Sequence, residues 1–187
     1  MTDAENSSRT PAEFPIPDLA AGISLHILSG DEWSLLCIAR LAALHDSPES
    51  FLSRYETERA YSEDQWRAQL KRGLWIVLKD EKDNVSGLVG IVMGKDILSS
   101  ERYLEYLWVS RQIRGLGLAS SLIESIQEYL SRSGITTLWL WILNGNYIAR
   151  RLYEKHGFAT THKRQPLLDR PGRYEERMKL EIEQVSR

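Results

Sequence analysis

The chain has 187 residues, 42% hydrophobic and 27% charged, with a formal net charge of −2. That composition belongs to an ordinary globular protein, long enough for one domain with a buried core and short for two. The near-neutral charge gives no general attraction to nucleic acid or to an anionic membrane, so any anion site must be local. The single cysteine, Cys37, excludes an internal disulfide and a cysteine-rich zinc site, and in its helical apolar pattern it reads as an inert thiol. His26, His45, His156 and His162 share no metal-ligand spacing. With no signal-like apolar region and no membrane-length apolar run, the expectation is a cytoplasmic protein.

Residues 1–21 are polar, contain three of the six prolines, and read as a flexible leader to a single domain at 22–187. ISLHIL (23–28) alternates as a strand, and Ser29 with Glu32 predicts a capping box for a helix to about His45. Residues 46–62 read as loop with a turn of helix, and 63–73 as a second helix stopped by Gly73. LWIVL (74–78) and VSGLVGIVMGK (85–95), around a charged turn, predict a hairpin followed by a strand at 102–110. Leu118, Leu122, Ile126, Tyr129 and Leu130 mark one face of a helix ending near Gly134. TTLWLWIL (136–143) is the kind of apolar strand that is covered on both sides. A helix at 146–156 and strands at 158–164 and 174–183 complete an α/β order of β-α-α-β-β-β-α-β-α-β-β.

Between the strand at 102–110 and the next helix lies RQIRGLGLASS (111–121). A dinucleotide fingerprint would need glycine at Ser120, and a Walker loop needs Gly-Lys-Ser/Thr, which the chain lacks. What remains is a basic loop with Arg111 and Arg114, two glycines and a helix N-terminus. Such a terminus offers unpaired N–H groups and about half a positive charge, which suits a diphosphate. On spacing alone it fits a plain strand-to-helix turn equally well.

LWVSRQIRGLGLASSLI resembles motif A of the GCN5-related N-acetyltransferases (GNAT), Arg/Gln-x-x-Gly-x-Gly/Ala. Gln112 with Gly115 and Gly117 fits that pattern; Arg114 with Gly117 and Ala119 fits it with better spacing from Val109. NGNYIARRLYEKHGF resembles the same family's motif B through Asn146, Ala149, Tyr153, Glu154, Lys155, Gly157 and Phe158. The resemblance runs from about residue 23 to 182. It implies a mixed α+β sheet splayed between the strands at 102–110 and 136–143, with acetyl-CoA as co-substrate in the opening. It implies a cofactor arm paired with backbone near Trp108 and Val109 and a pyrophosphate on Arg114, Gly115, Leu116, Gly117, Leu118, Ala119 and Ser120. Asn146 would hydrogen-bond the arm, although asparagine at a helix start is equally a plain N-cap. No metal is implied, and a homodimer is common in such folds.

An amine acceptor of pKa about 10.4 is unprotonated in roughly one molecule in 10³ at neutral pH, so deprotonation costs about 4–5 kcal/mol and a base helps. Tyr153 occupies the position where the family presents a phenol to the coenzyme sulfur, which makes it the expected acid. For the base, Glu105 is the candidate, taken to share a strand face with Tyr103, Leu107 and Val109. Some family members carry a catalytic glutamate where this chain has Tyr103; a water chain, Glu56 or Glu58 would serve as well. The expected function is acetyl transfer to a primary amine of a small molecule or peptide by direct attack. The alternative is an acyl-CoA-binding sensor or scaffold with little activity.

Overall fold

Apolar strands from the middle of the chain build the centre of a seven-stranded sheet in the computed structural model, which describes residues 13–168 and 170–184. In chain order the elements are β1 (Ser24–Ile27), α1 (Trp33–Asp46), a 3-10 turn (Pro48–Ser50), α2 (Tyr55–Arg59) and α3 (Glu63–Leu70). The hairpin β2 (Gly73–Lys79) and β3 (Val85–Val92) leads to β4 (Glu101–Val109), a 3-10 turn (Arg111–Ile113) and α4 (Leu118–Arg132). Then come β5 (Thr137–Leu143), α5 (Tyr147–Lys155), β6 (Ala159–Pro166) and β7 (Tyr174–Glu181). The strand order is β1-β2-β3-β4-β5-β7-β6, antiparallel throughout except between β4 and β5.

Each face of the sheet carries its own core. Leu122, Ile123 and Ile126 of α4 are fully buried against Ile76, Val89, Leu138 and Met178. Leu36, Ala39 and Ala43 of α1 and Trp66 and Leu70 of α3 cover Trp75, Val77, Leu88 and Trp108 on the other face. Each buried Leu, Ile, Val or Met among these contributes about 1.5–3 kcal/mol on leaving water, which fixes both helix layers to the sheet. The packed chain begins ahead of residue 22, since Phe14 is buried and its ring lies 5.5 Å from that of Tyr129. Residues 1–12 of the expected leader lie outside the described residues.

Two local expectations change. Ser29 does not cap α1; Glu32 accepts from the Ser29 N–H (2.7 Å) and hydroxyl (2.8 Å), but the helix starts only at Trp33. A complete capping box forms instead at α3, between Ser62 and Gln65. The segment 46–62 holds the 3-10 turn and α2, one helix more than the sequence pattern predicts.

The β4–β5 ladder has three pairs, Glu101–Thr137, Arg102–Leu138 and Tyr103–Trp139, and then stops. Beyond it β5 stays paired with β7 and β4 with β3, so the two strands part. A bulge sits where they do. Leu88 faces Trp108 and Gly90 faces Glu105, which sets Tyr106 and Leu107 against Val89 alone. Tyr106 takes a left-handed conformation (φ 60°) to accommodate it. A bulge bends its strand and sharpens its twist. It also breaks the alternation: Tyr103, Tyr106 and Trp108 pack toward α1 and α3, whereas Leu104, Leu107 and Val109 pack toward α4. The expectation that Tyr103, Glu105, Leu107 and Val109 share a face is therefore wrong.

Candidate active site

The divergence of β4 and β5 opens a cleft of about 1450 Å³. Its floor is backbone. Ser110 donates its N–H to Ser86 O at 2.8 Å, so the antiparallel alternation turns the peptide groups of Trp108 toward β3 and those of Leu107 and Val109 toward the cleft. The Trp108 side chain also lines the cleft, and its indole N–H donates to Asp46 Oδ2 at 2.9 Å.

The turn after β4 forms the cleft's end. Gly115 and Gly117 have φ of 84° and 79°, a region that L side chains avoid, and Gly117 is the N-cap of α4. The first bond of that helix is Ser121 N–H to Gly117 O, 3.0 Å. The N–H groups of Leu118, Ala119 and Ser120 have no partner among the described residues. Unpaired N–H groups at a helix N-terminus are of the kind that suits an anion. Leu116, 55% exposed, is not part of the lining.

Arg114 lines the cleft but its side chain is engaged. Nε donates to Val109 O at 2.8 Å, and Nη2 donates to Asp46 Oδ2 (2.9 Å) and Ser47 Oγ (2.7 Å). Burial alone would raise the Asp46 carboxyl; the bonds from Trp108 and Ser47 and the charge of Arg114 outweigh it and hold it below the usual carboxylate range. The Arg114 guanidinium thus ties the turn to the end of α1. On the other side of the turn, Ser120 Oγ lies 3.0 Å from His156 Nε2 at the end of α5.

The opposite wall comes from β5 and α5. Asn146 caps α5, its Oδ1 accepting from Ala149 N–H at 3.2 Å, and it lines the cleft as well. Tyr153, about two turns further on, packs on Phe158 (5.4 Å between rings), and its hydroxyl has no hydrogen-bond partner among the described residues. Burial pushes this phenol well above its ordinary value.

The carboxylates sort themselves by partner. Glu105 accepts from both terminal nitrogens of Arg72, at 2.7 and 3.0 Å. Glu58 is buried in a two-pronged pair with Arg40 and is structural. Glu56 is exposed, pairs loosely with Arg59 and does not line the cleft. Glu175 of β7, absent from the sequence expectations, is only 6% exposed, lines the cleft, and has one partner, Gln165 Nε2 at 2.7 Å. Burial raises it, partly offset by the Gln165 bond, and no cation lies within ion-pair distance among the described residues. A signal existed in the sequence: consecutive Glu175 and Glu176 in a strand must put a carboxylate on each face, and both faces are covered.

No curated protein matches the chain. Among solved structures, the GNAT-family acetyltransferase of Streptococcus pneumoniae superposes with a TM-score of 0.71 at 17% identity, covering 86% of this chain and 99% of that one. The ribosomal-protein-S18-alanine N-acetyltransferase of Escherichia coli gives 0.63 at 21%, covering 88% and 96%. The yncA protein of Salmonella typhimurium, solved with its cofactor acetyl-CoA, gives 0.66 at 15%, covering 89% and 98%. At such identities the likeness is one of fold. The model of the acetyltransferase (GNAT) family matches residues 40–158, well over half of the chain, and the protein belongs to that acetyltransferase family.

Proposed function

We propose that the protein transfers the acetyl group of acetyl-CoA directly to a primary amine of a small molecule or peptide. The observation that carries this reading is one cleft with an open strand edge along its floor and an unpartnered amide cradle at its end. The peptide groups of Leu107 and the N–H of Val109, whose carbonyl is taken by Arg114 Nε, suit an amide-bearing arm, and the N–H groups of Leu118, Ala119 and Ser120 suit its pyrophosphate. The Asn146 side-chain NH2 is left free by its capping bond and can donate to the same arm. When bound, acetyl-CoA supplies an acetyl thioester whose thiolate leaving group has a pKa of about 8.5, by analogy with cysteine.

The chain's own groups then divide the proton work. As the amine nitrogen bonds to the acetyl carbon and the C–S bond breaks, the amine loses a proton and the sulfur gains one. Tyr153 stays neutral at any working pH, so its hydroxyl is a donor to the sulfur and not a base. Glu175 is the lining carboxylate with no cation to neutralise it, which suits it to hold the incoming ammonium and accept its proton directly or through water. Glu105, fully occupied by Arg72, is left to act through water. Cys37 lies outside the lining and burial raises its thiol, which favours direct transfer over an acyl-cysteine.

Coenzyme A release across amines, amino acids, antibiotics and peptides tests the function. Tyr153→Phe should lower turnover at saturating acetyl-CoA by roughly 100-fold and leave cofactor affinity unchanged. Unaltered turnover removes Tyr153 as the acid, and absence of acetyl-CoA binding by calorimetry sinks the whole reading.

A further inference from the structure

A second cleft, of about 820 Å³, adjoins the first and shares with it Arg72, Tyr103, Glu105, Trp141 and Gln165. Its rim carries Lys71 after α3, Lys95 after β3 and Lys163 on β6. All three lysines are exposed, and none has a carboxylate within ion-pair distance among the described residues. Lys163 Nζ stands 6.0 Å from the centre of the Trp141 ring in the shared wall. Two carboxylates line this cleft, and both are already engaged. Glu105 is held by Arg72, and Asp96 accepts from the Tyr103 hydroxyl at 2.9 Å and faces Arg177 at 3.8 Å. The lysine charge is therefore uncompensated, in a chain whose net charge is −2.

The sign of the surface changes across the shared wall. On the cofactor side stands Glu175, held by Gln165 and with no cation within ion-pair distance among the described residues, whereas Glu105, in the wall itself, is paired with Arg72. On the far side stand the three lysines. Of the other cations lining the cofactor cleft, Arg40 is paired with Glu58, Arg114 with Asp46, and Arg173 is turned onto Asn144 at the β5–α5 turn, 3.0 and 3.1 Å from its oxygens. A ligand spanning both clefts meets negative charge at one end and positive charge at the other. We propose that the acceptor is an amine bearing a carboxylate or phosphate, its ammonium facing Glu175 and its anion among Lys71, Lys95 and Lys163. This rests on the acetyl-transfer reading of the first cleft. Polyamines and polycationic antibiotics are disfavoured by the same lysines.

Matched acceptors test the assignment: ethanolamine against O-phosphoethanolamine, and glycinamide against glycine, with the wild type and a Lys71→Glu/Lys95→Glu/Lys163→Glu variant. The anionic member of at least one pair should be preferred by roughly tenfold in kcat/KM, and the preference should shrink with added salt. The variant should lose it while using the neutral members as the wild type does, and the two pairs tell carboxylate from phosphate. Equal use of both members, or a preference that survives in the variant, overturns the proposal. If neither pair turns over, calorimetry with glutarate and inorganic phosphate reads the lysine cleft alone. Binding by the wild type that is lost in the variant supports the proposal, and no binding by the wild type overturns it. Failure to bind acetyl-CoA is a separate result, which refutes the function and not the anion site.

Discussion

Arg40 on α1 is 2% exposed and Glu58 on α2 is 4% exposed. Arg40 Nε donates to Glu58 Oε2 at 2.9 Å and Nη2 to Oε1 at 2.8 Å. The guanidinium carbon lies 3.7 Å from the centre of the Tyr106 ring and 4.5 Å from that of Phe51, and Nη1 has no hydrogen-bond partner among the described residues. Removing one member strands a buried charge, so Arg40→Met or Glu58→Leu alone should cost about 3–5 kcal/mol. For a domain whose total stability is about 5–15 kcal/mol, that shift is large in urea unfolding monitored by tryptophan fluorescence. The double variant removes both charges and should recover most of the loss. It also releases Phe51 and the bulged Tyr106, both of which line the cleft, so acceptor KM should rise while acetyl-CoA affinity holds. Single variants within about 1 kcal/mol of the wild type, or a double as weak as the singles, would refute the burial reasoning.

Gly117→Glu should weaken acetyl-CoA binding at least tenfold. No atom crowds the new Cβ, so the loss of affinity comes from carboxylate repulsion of a phosphate, while the left-handed φ costs about 1–2 kcal/mol of fold stability; normal affinity would count against the cradle. Burial lowers the His156 pKa from 6.5, Glu124 at 3.9 Å opposes that and Lys155 adds to it, so the folded state favours the neutral ring. That stabilisation is complete above the ordinary imidazole value and is lost as pH falls through the lower, folded value. Stability and cofactor affinity should therefore both decline below about pH 6.5, and His156→Gln should flatten the decline. An unchanged acid profile in that variant would show that His156 does not hold Ser120 in place.

The strand and helix pattern was readable because apolar periodicity is local: every long element falls within a few residues of its expected bounds. The glycine turn was legible too, since φ near 80° at Gly115 and Gly117 is written into residue type. Pairing between distant charges was not. Arg114 reads as a phosphate ligand until Asp46, 68 positions away, is seen to hold it. Glu58 reads as a free carboxylate until Arg40 is buried against it. The bulge at Tyr106 left no mark, because a tyrosine at positive φ is a tertiary outcome and not a propensity. Once the bulge is there, side-chain alternation fails from Tyr106 onward, and with it the assignment of Glu105 to the face of Leu107 and Val109.

A sheet whose ladder ends after Tyr103–Trp139 has raw edges in its interior as well as at its margins. Raw edges recruit strands from other chains, which makes them seeds for aggregation. Here β4 and β5 face each other across a V pinned at one end, so a foreign strand can enter only through the mouth. An amide-bearing cofactor arm, bound as proposed, would fill the same hydrogen-bonding gap. The coenzyme would then act as a solubility factor as well as a reagent. At a hundredfold excess over its dissociation constant it would add about 2.7 kcal/mol to the folded state, and the chain most exposed to strand pairing would be the one that has just released it.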